Sequence, residues 1–146
     1  MKHKILVTGA SGAFGRLTCI QLAENGHQVV GTMRSVQGKN EAIANELKSK
    51  GVQLVEMDVT NEISVNDGVK SAIAIMEGID TVFNNAGIGA NGILETFTAE
   101  DIQKVFDVNV FGVQRLLRAV LPHFRQQAKG TIIHTSSCIG RVTTPF

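Results

Sequence analysis

The sequence predicts an α/β domain built on a parallel sheet. Two observations carry this. Short β-branched or apolar runs alternate with helical stretches along the chain, and Gly or Asp punctuates the changes. Five runs read as strands and four stretches as helices, the order expected of parallel strands joined by right-handed crossovers. The 146 residues fit one domain, 1–146, with no linker, internal repeat or low-complexity segment.

The elements follow in order. Lys4–Thr8 is an unbroken apolar run, as in a strand buried on both faces. Gly15–Asn25 reads as a helix closed by Gly26, and Gln28–Thr32 as the second strand. Asn40–Lys50 is a helix closed by Gly51, and Val52–Met57 the third strand. Val65–Glu77 is a helix ended by Gly78, and Asp80–Asn84 the fourth strand. Thr98 then reads as an N-cap, with Glu100 and Asp101 in the first turn of a long helix, Ala99–Gln127. Its apolar positions, Ile102, Val105, Phe106, Val113, Leu116, Leu117, Val120 and Leu121, recur at helical spacing, with Asn109 among them. Thr131–Ser136 is the fifth strand.

Composition narrows the function classes. Lys and Arg total 14 against 13 acidic residues, with no basic block, which argues against a nucleic-acid partner. The apolar run after the basic start is only Ile5, Leu6 and Val7, too short for a signal peptide, and no stretch approaches a membrane span. Cys19 and Cys138 form no CxxC, and a reduced, cytoplasmic protein is the simplest expectation. His3, His27, His123 and His134 share no metal-ligand spacing and read as surface or loop residues; no metal is expected.

The first strand runs into Thr8-Gly9-Ala10-Ser11-Gly12-Ala13-Phe14-Gly15, and a helix follows. In that setting Gly9 permits a tight turn, Gly12 lets the backbone approach a pyrophosphate, and Gly15 lets the helix pack against the strand. The helix's first N–H groups are then free to bind an anion. Three glycines without these flanks would equally describe an ordinary βα turn.

Five segments in register carry a family resemblance. They are TGASGAFG at the first turn, the Asp of MDVT (Asp58), NNAG at Asn84–Gly87, DVNVFG around Asn109, and SSCIG after the fifth strand. Together they resemble the short-chain dehydrogenase/reductase family over the entire chain. The glycines follow TGxxGxxG, with Ala13 where the commoner form has Gly. That spacing is more usual in the family's longer branch, whereas NNAG and SSxxG side with the shorter one. The resemblance implies a Rossmann-like doubly wound parallel sheet of strand order 3-2-1-4-5, without the family's C-terminal strands and helices.

It also implies roles. Gly9, Gly12, Phe14 and Gly15 would bind the cofactor at the glycine loop, with Ser11 and Ser35 adding hydroxyls toward a 2′-phosphate. Asp58 would bond the adenine amino group beside Val59, and Asn85, Ala86 and Gly87 would lie along the ribose. Read alone, Asp58 is also a helix N-terminal acid, and Asn84-Asn85 a turn pair. The second strand ends Val29-Val30-Gly31-Thr32-Met33-Arg34, with no acid to repel a 2′-phosphate and with Arg34 able to pair with one. NADP(H) is therefore favoured over NAD(H), against the alternative of a solvated Arg34.

For the reaction, Ser137 matches the Ser that orients a substrate carbonyl, and Asn109 the Asn that holds a water in the proton relay. A satisfied polar core residue is the other reading of Asn109. The family's proton donor is a Tyr followed four residues on by a Lys, and this sequence contains no Tyr. The abrupt Pro145-Phe146 ending reads as a chain cut before that pair, so the 146 residues alone are expected to be inactive. The substrate implied is a small carbonyl or alcohol; GTMRS and SSCIG resemble members acting on steroids, retinoids or similar lipophilic carbonyls. A non-catalytic nucleotide-binding or regulatory module is the other class of function. Homo-oligomer contacts are expected through the Ala99–Gln127 helix or an exposed, apolar fifth strand.

Overall fold

A computed structural model describes residues 2–142; Met1 and Thr143–Phe146, and with them the Pro145-Phe146 ending, lie outside the described residues. Strands β1 (Lys4–Thr8), β2 (Gln28–Met33), β3 (Gln53–Glu56), β4 (Thr81–Asn84) and β5 (Thr131–His134) form one parallel sheet in the order β3-β2-β1-β4-β5. β1 lies at its centre, with Leu6 beside Val30 of β2 and Val82 of β4.

Alternation along β1 divides the core in two. Ile5 and Val7 join Val29, Cys19, Ala44 and Leu47 on one face, under α1 (Ala13–Glu24) and α2 (Glu41–Ser49). Leu6 joins Val30, Val82, Val65, Val69, Ala72, Leu116 and Val120 on the other, under α3 (Glu62–Met76) and the helix Gly112–Gln126. Both faces of the central strand are thus covered, which is why Ile5, Leu6 and Val7 in its middle are all apolar. Burial pushes the Cys19 thiol up to about 12, so this cysteine is a packing residue.

Local backbone geometry and capping move two predicted helix starts. α1 begins at Ala13, two residues before Gly15, because Gly12 already has the extended backbone of an N-cap. α3 begins at Glu62 because the Asn61 side chain caps it by accepting from Ser64 N–H at 2.9 Å. The long helix starts where predicted. Thr98 and Asp101 form a reciprocal capping box at its N-terminus.

That helix is not one uniform α-helix. α4 (Ala99–Phe106) passes into a π-helical segment, Asp107–Phe111, and then into α5 (Gly112–Gln126). The Gly112 N–H bonds the Asp107 carbonyl, the five-residue step of a π turn. The extra residue breaks the predicted apolar stripe. Leu116 and Val120 reach the core, but Ile102 and Phe106 remain exposed and no residue of α4 is buried. Asn109, read from its neighbours as a buried polar residue, is exposed.

Of the four histidines, read as surface or loop residues, His123 departs from that expectation. His123 lies on α5, half-buried, where its Nε2 accepts from the Ile79 N–H at 3.1 Å. His134 sits on β5 with its Nδ1 3.3 Å from the Asn84 amide nitrogen. β5 lies at one edge of the sheet; Ile132 packs on the core and Ile133 is exposed.

Candidate nucleotide-binding cleft

The C-terminal ends of β1, β2, β3 and β4 open into one cavity of about 620 Å³. The residues expected to hold the cofactor line it, Ser35 excepted: Gly9, Ser11, Gly12, Phe14 and Gly15 from the first loop, Arg34 after β2, Asp58 and Val59 after β3, and Asn85, Ala86 and Gly87 after β4. The cleft sits where the connections leaving β1 and β4 turn to opposite faces of the sheet, the place where open α/β sheets bind ligands.

The glycine loop is built by close approach. Gly9 has φ +72, and a Cβ there would lie 2.9 Å from the Ala86 Cα. A Cβ on Gly15 would collide with the Gly9 carbonyl oxygen and press on the Asn85 amide. Gly15 therefore packs against the loop and NNAG, rather than against the strand as predicted. At the N-terminus of α1 the cap residue Gly12 offers no side chain, and the first turn holds no acid. Gly12 to Gly15 line the cavity, so this helix end, with no built-in anion, fits a phosphate group.

Thr8 is the residue that sequence reasoning passed over. It is fully buried, and its Oγ1 accepts from both the Asn85 and Ala86 N–H groups at 3.0 Å. The Asn85 amide in turn donates to the Thr8 carbonyl at 3.0 Å, while its oxygen accepts from Thr135 Oγ1 at 3.1 Å. NNAG is thereby stitched to β1 on one side and to the end of β5 on the other. The signal was present, since the motif reads Thr-Gly, but a hydroxyl in a strand declares no partner until β4 is placed beside it.

Asp58 folds its own turn. Its Oδ1 accepts from the Thr60 N–H at 2.9 Å and from Thr60 Oγ1 at 2.8 Å. Asn61 takes the helix-capping role, so the reading of Asp58 as a helix N-terminal acid is corrected. Partial burial pushes the Asp58 carboxyl up, but the two Thr60 bonds and the positive charges of Arg34 and Arg115 prevail and hold it below the ordinary 3.8. Arg34 is exposed at the rim, and Lys104, Asp107 and Val108 complete the opposite wall.

The two residues expected to serve the chemistry do not line the cavity. Asn109 uses both ends of its amide on one residue: Oδ1 accepts from the Ile88 N–H at 2.9 Å and Nδ2 donates to the Ile88 carbonyl at 2.8 Å. It thereby fastens the π segment to the strand-four loop beside Gly87. Ser137 is exposed after β5; its Oγ accepts from the Ile139 N–H at 3.3 Å and caps the single turn Cys138–Gly140. Cys138 is exposed in that turn.

A parallel sheet in this order, with a glycine loop, an acidic turn and NNAG around one cleft, defines a dinucleotide-binding fold. The chain belongs to the short-chain dehydrogenase family, whose model matches residues 3–146. It is 39% identical over 142 residues to a 3-ketodihydrosphingosine reductase of Bacteroides thetaiotaomicron, covering 97% of this chain and 49% of that protein. It is 32% identical over 147 residues to a 3-oxoacyl-[acyl-carrier-protein] reductase of Staphylococcus epidermidis, covering 99% of this chain and 60% of that one. The solved alcohol dehydrogenase of the archaeon Thermococcus sibiricus, complexed with 5-hydroxy-NADP, superposes with a TM-score of 0.84 at 31% identity, over 98% of this chain and 62% of its own. The chain thus spans half to three-fifths of the length of the curated relatives. Among the described residues no helix is long and apolar enough to cross a membrane.

Proposed function

We propose that these 146 residues are one dinucleotide-binding domain. In this reading they form the nucleotide-binding part of a cytoplasmic oxidoreductase that interconverts a ketone and a secondary alcohol with NADP(H). The observation that carries the reading is the shared cleft, into which the glycine loop, Arg34, the Asp58 turn and Asn85–Gly87 all face. When bound, the dinucleotide supplies or accepts a hydride. The chain's own residues would hold it: the α1 N-terminus and glycine loop its phosphates, Asp58 its adenine, and Asn85 to Gly87 its ribose. Arg34, at the end of β2 with no neighbouring acid in the Met33-Arg34-Ser35 run, favours a 2′-phosphate. Similarity to proteins named for 3-keto and 3-oxo substrates supports a ketone. Ser137 would orient the carbonyl and Asn109 a water. Both are exposed in this chain, and the sequence holds no Tyr to donate the proton, so binding without turnover is expected of the 146 residues. The second reading is a module that binds the nucleotide without catalysis. Self-association through α4–α5 or the β5 edge belongs to the same proposal.

Titration of the chain with NADPH and NADH tests the reading. NADPH is expected to bind more tightly, and Arg34→Ala to weaken NADPH about tenfold while leaving NADH unchanged. NADH binding equal to or better than NADPH would remove the cofactor preference. Binding of neither would remove the function. Reduction of a ketone by the 146-residue chain would overturn its expected inactivity.

A further inference from the structure

The two long walls of the cleft come from parts of the chain far apart in sequence: the β3–α3 turn, with Asp58, Val59 and Thr60, and the π segment, with Asp107 and Val108. One side chain joins them. Arg115, on the first turn of α5 and largely shielded, donates through Nη1 to the Val59 carbonyl at 3.2 Å and to the Asp107 carbonyl at 3.3 Å. Its Nη2 donates to the Asp107 carboxylate at 2.7 Å. The Asp107 carbonyl is the one that accepts the π-turn bond from Gly112, so Arg115 supports the irregular turn at its origin. The contact is tight on the other side too, because a Cβ on Gly112 would lie 3.1 Å from the Val59 side chain. Asn109, inside the same segment, then carries the constraint to Ile88 through its two bonds.

We infer that Arg115 is a positioning residue. Its guanidinium fork fixes the spacing between the Asp58–Thr60 turn and the π segment, and so sets the width of the cleft at the end where an adenine would lie. A planar fork is suited to this, since it reaches a carboxylate and two carbonyls at once, whereas an ammonium would satisfy them singly. The inference rests on the nucleotide reading above.

The test compares the chain with its Arg115→Met and Arg115→Lys variants. The readouts are affinity for NADPH and for 2′,5′-ADP, thermal midpoint, and amide NMR shifts of Val59, Thr60 and Ile88. Arg115→Met is expected to weaken both ligands about tenfold and to shift all three amides, with Arg115→Lys falling between. Folded Arg115→Met that binds both ligands as the parent does would overturn the inference. So would a lowered thermal midpoint with unchanged affinities and shifts, since that describes a merely structural residue. If Arg115→Met does not fold, Arg115→Lys and Asp107→Asn carry the same comparison. If the parent chain binds neither ligand, the nucleotide reading falls, and the brace is still decided by the amide shifts.

Discussion

The two halves of the site are built differently. The nucleotide half is stitched together from within: Thr8 holds Asn85 and Ala86, Thr60 holds Asp58, and Gly9 and Gly15 let the loop close against NNAG. The half expected to carry the chemistry is open. Ser137 and Asn109 are exposed, α4 buries nothing, and Phe106, Phe111 and Ile139 face outward. A site whose polar groups satisfy one another can hold its geometry by itself. In the open half, Ser137 bonds only within its own turn, while Asn109 is tied to Ile88.

This contrast can be broken by experiment. The largest effect is expected from Gly15→Val, which drives a branched side chain into the Gly9 carbonyl; nucleotide affinity should fall by about a hundredfold or more, read by titration with NADPH. Thr8→Val keeps the shape but leaves the Asn85 and Ala86 N–H groups without their acceptor. It should cost about 3 kcal/mol in urea unfolding, with weakened binding alongside. A result under about 0.5 kcal/mol would mean that the Thr8 hub does not hold the cleft.

Acidification gives a smaller, graded effect. The Asp58 carboxyl titrates below its ordinary value in the folded chain, so its stabilisation is present above the unfolded pKa of 3.8 and is lost as pH falls through the lower folded value. Asp58→Asn should flatten that part of the stability–pH profile, and an unchanged acid limb would contradict the assignment. The smallest effect is expected from Ser137→Ala. Its hydroxyl caps one exposed turn, so nucleotide affinity should stay within about twofold and stability within about 0.5 kcal/mol. A large loss of binding there would show that the two halves are coupled.

Much of the architecture was legible because it rests on local rules. An unbroken apolar β1 required cover on both faces, and glycines at the ends of α1, α2 and α3 marked their stops. The Thr98 cap was visible as a Thr three residues before an Asp. The cleft residues were legible through their order along the chain, since each follows a strand and parallel strands deliver their ends to one side.

What the sequence by itself determined is this alternation and the grouping of strand-end loops, because both depend on periodicity and turn chemistry within a few residues. Tertiary structure alone decided the rest. A helical repeat cannot announce a π turn whose Asp107 carbonyl is held by Arg115, nor that the turn would swing Ile102, Phe106 and Asn109 away from the core. Nor can a threonine in a strand show that its hydroxyl will hold a loop 77 residues away. Those outcomes depend on which backbone groups lack partners once the sheet has formed, and that is settled only when distant segments meet.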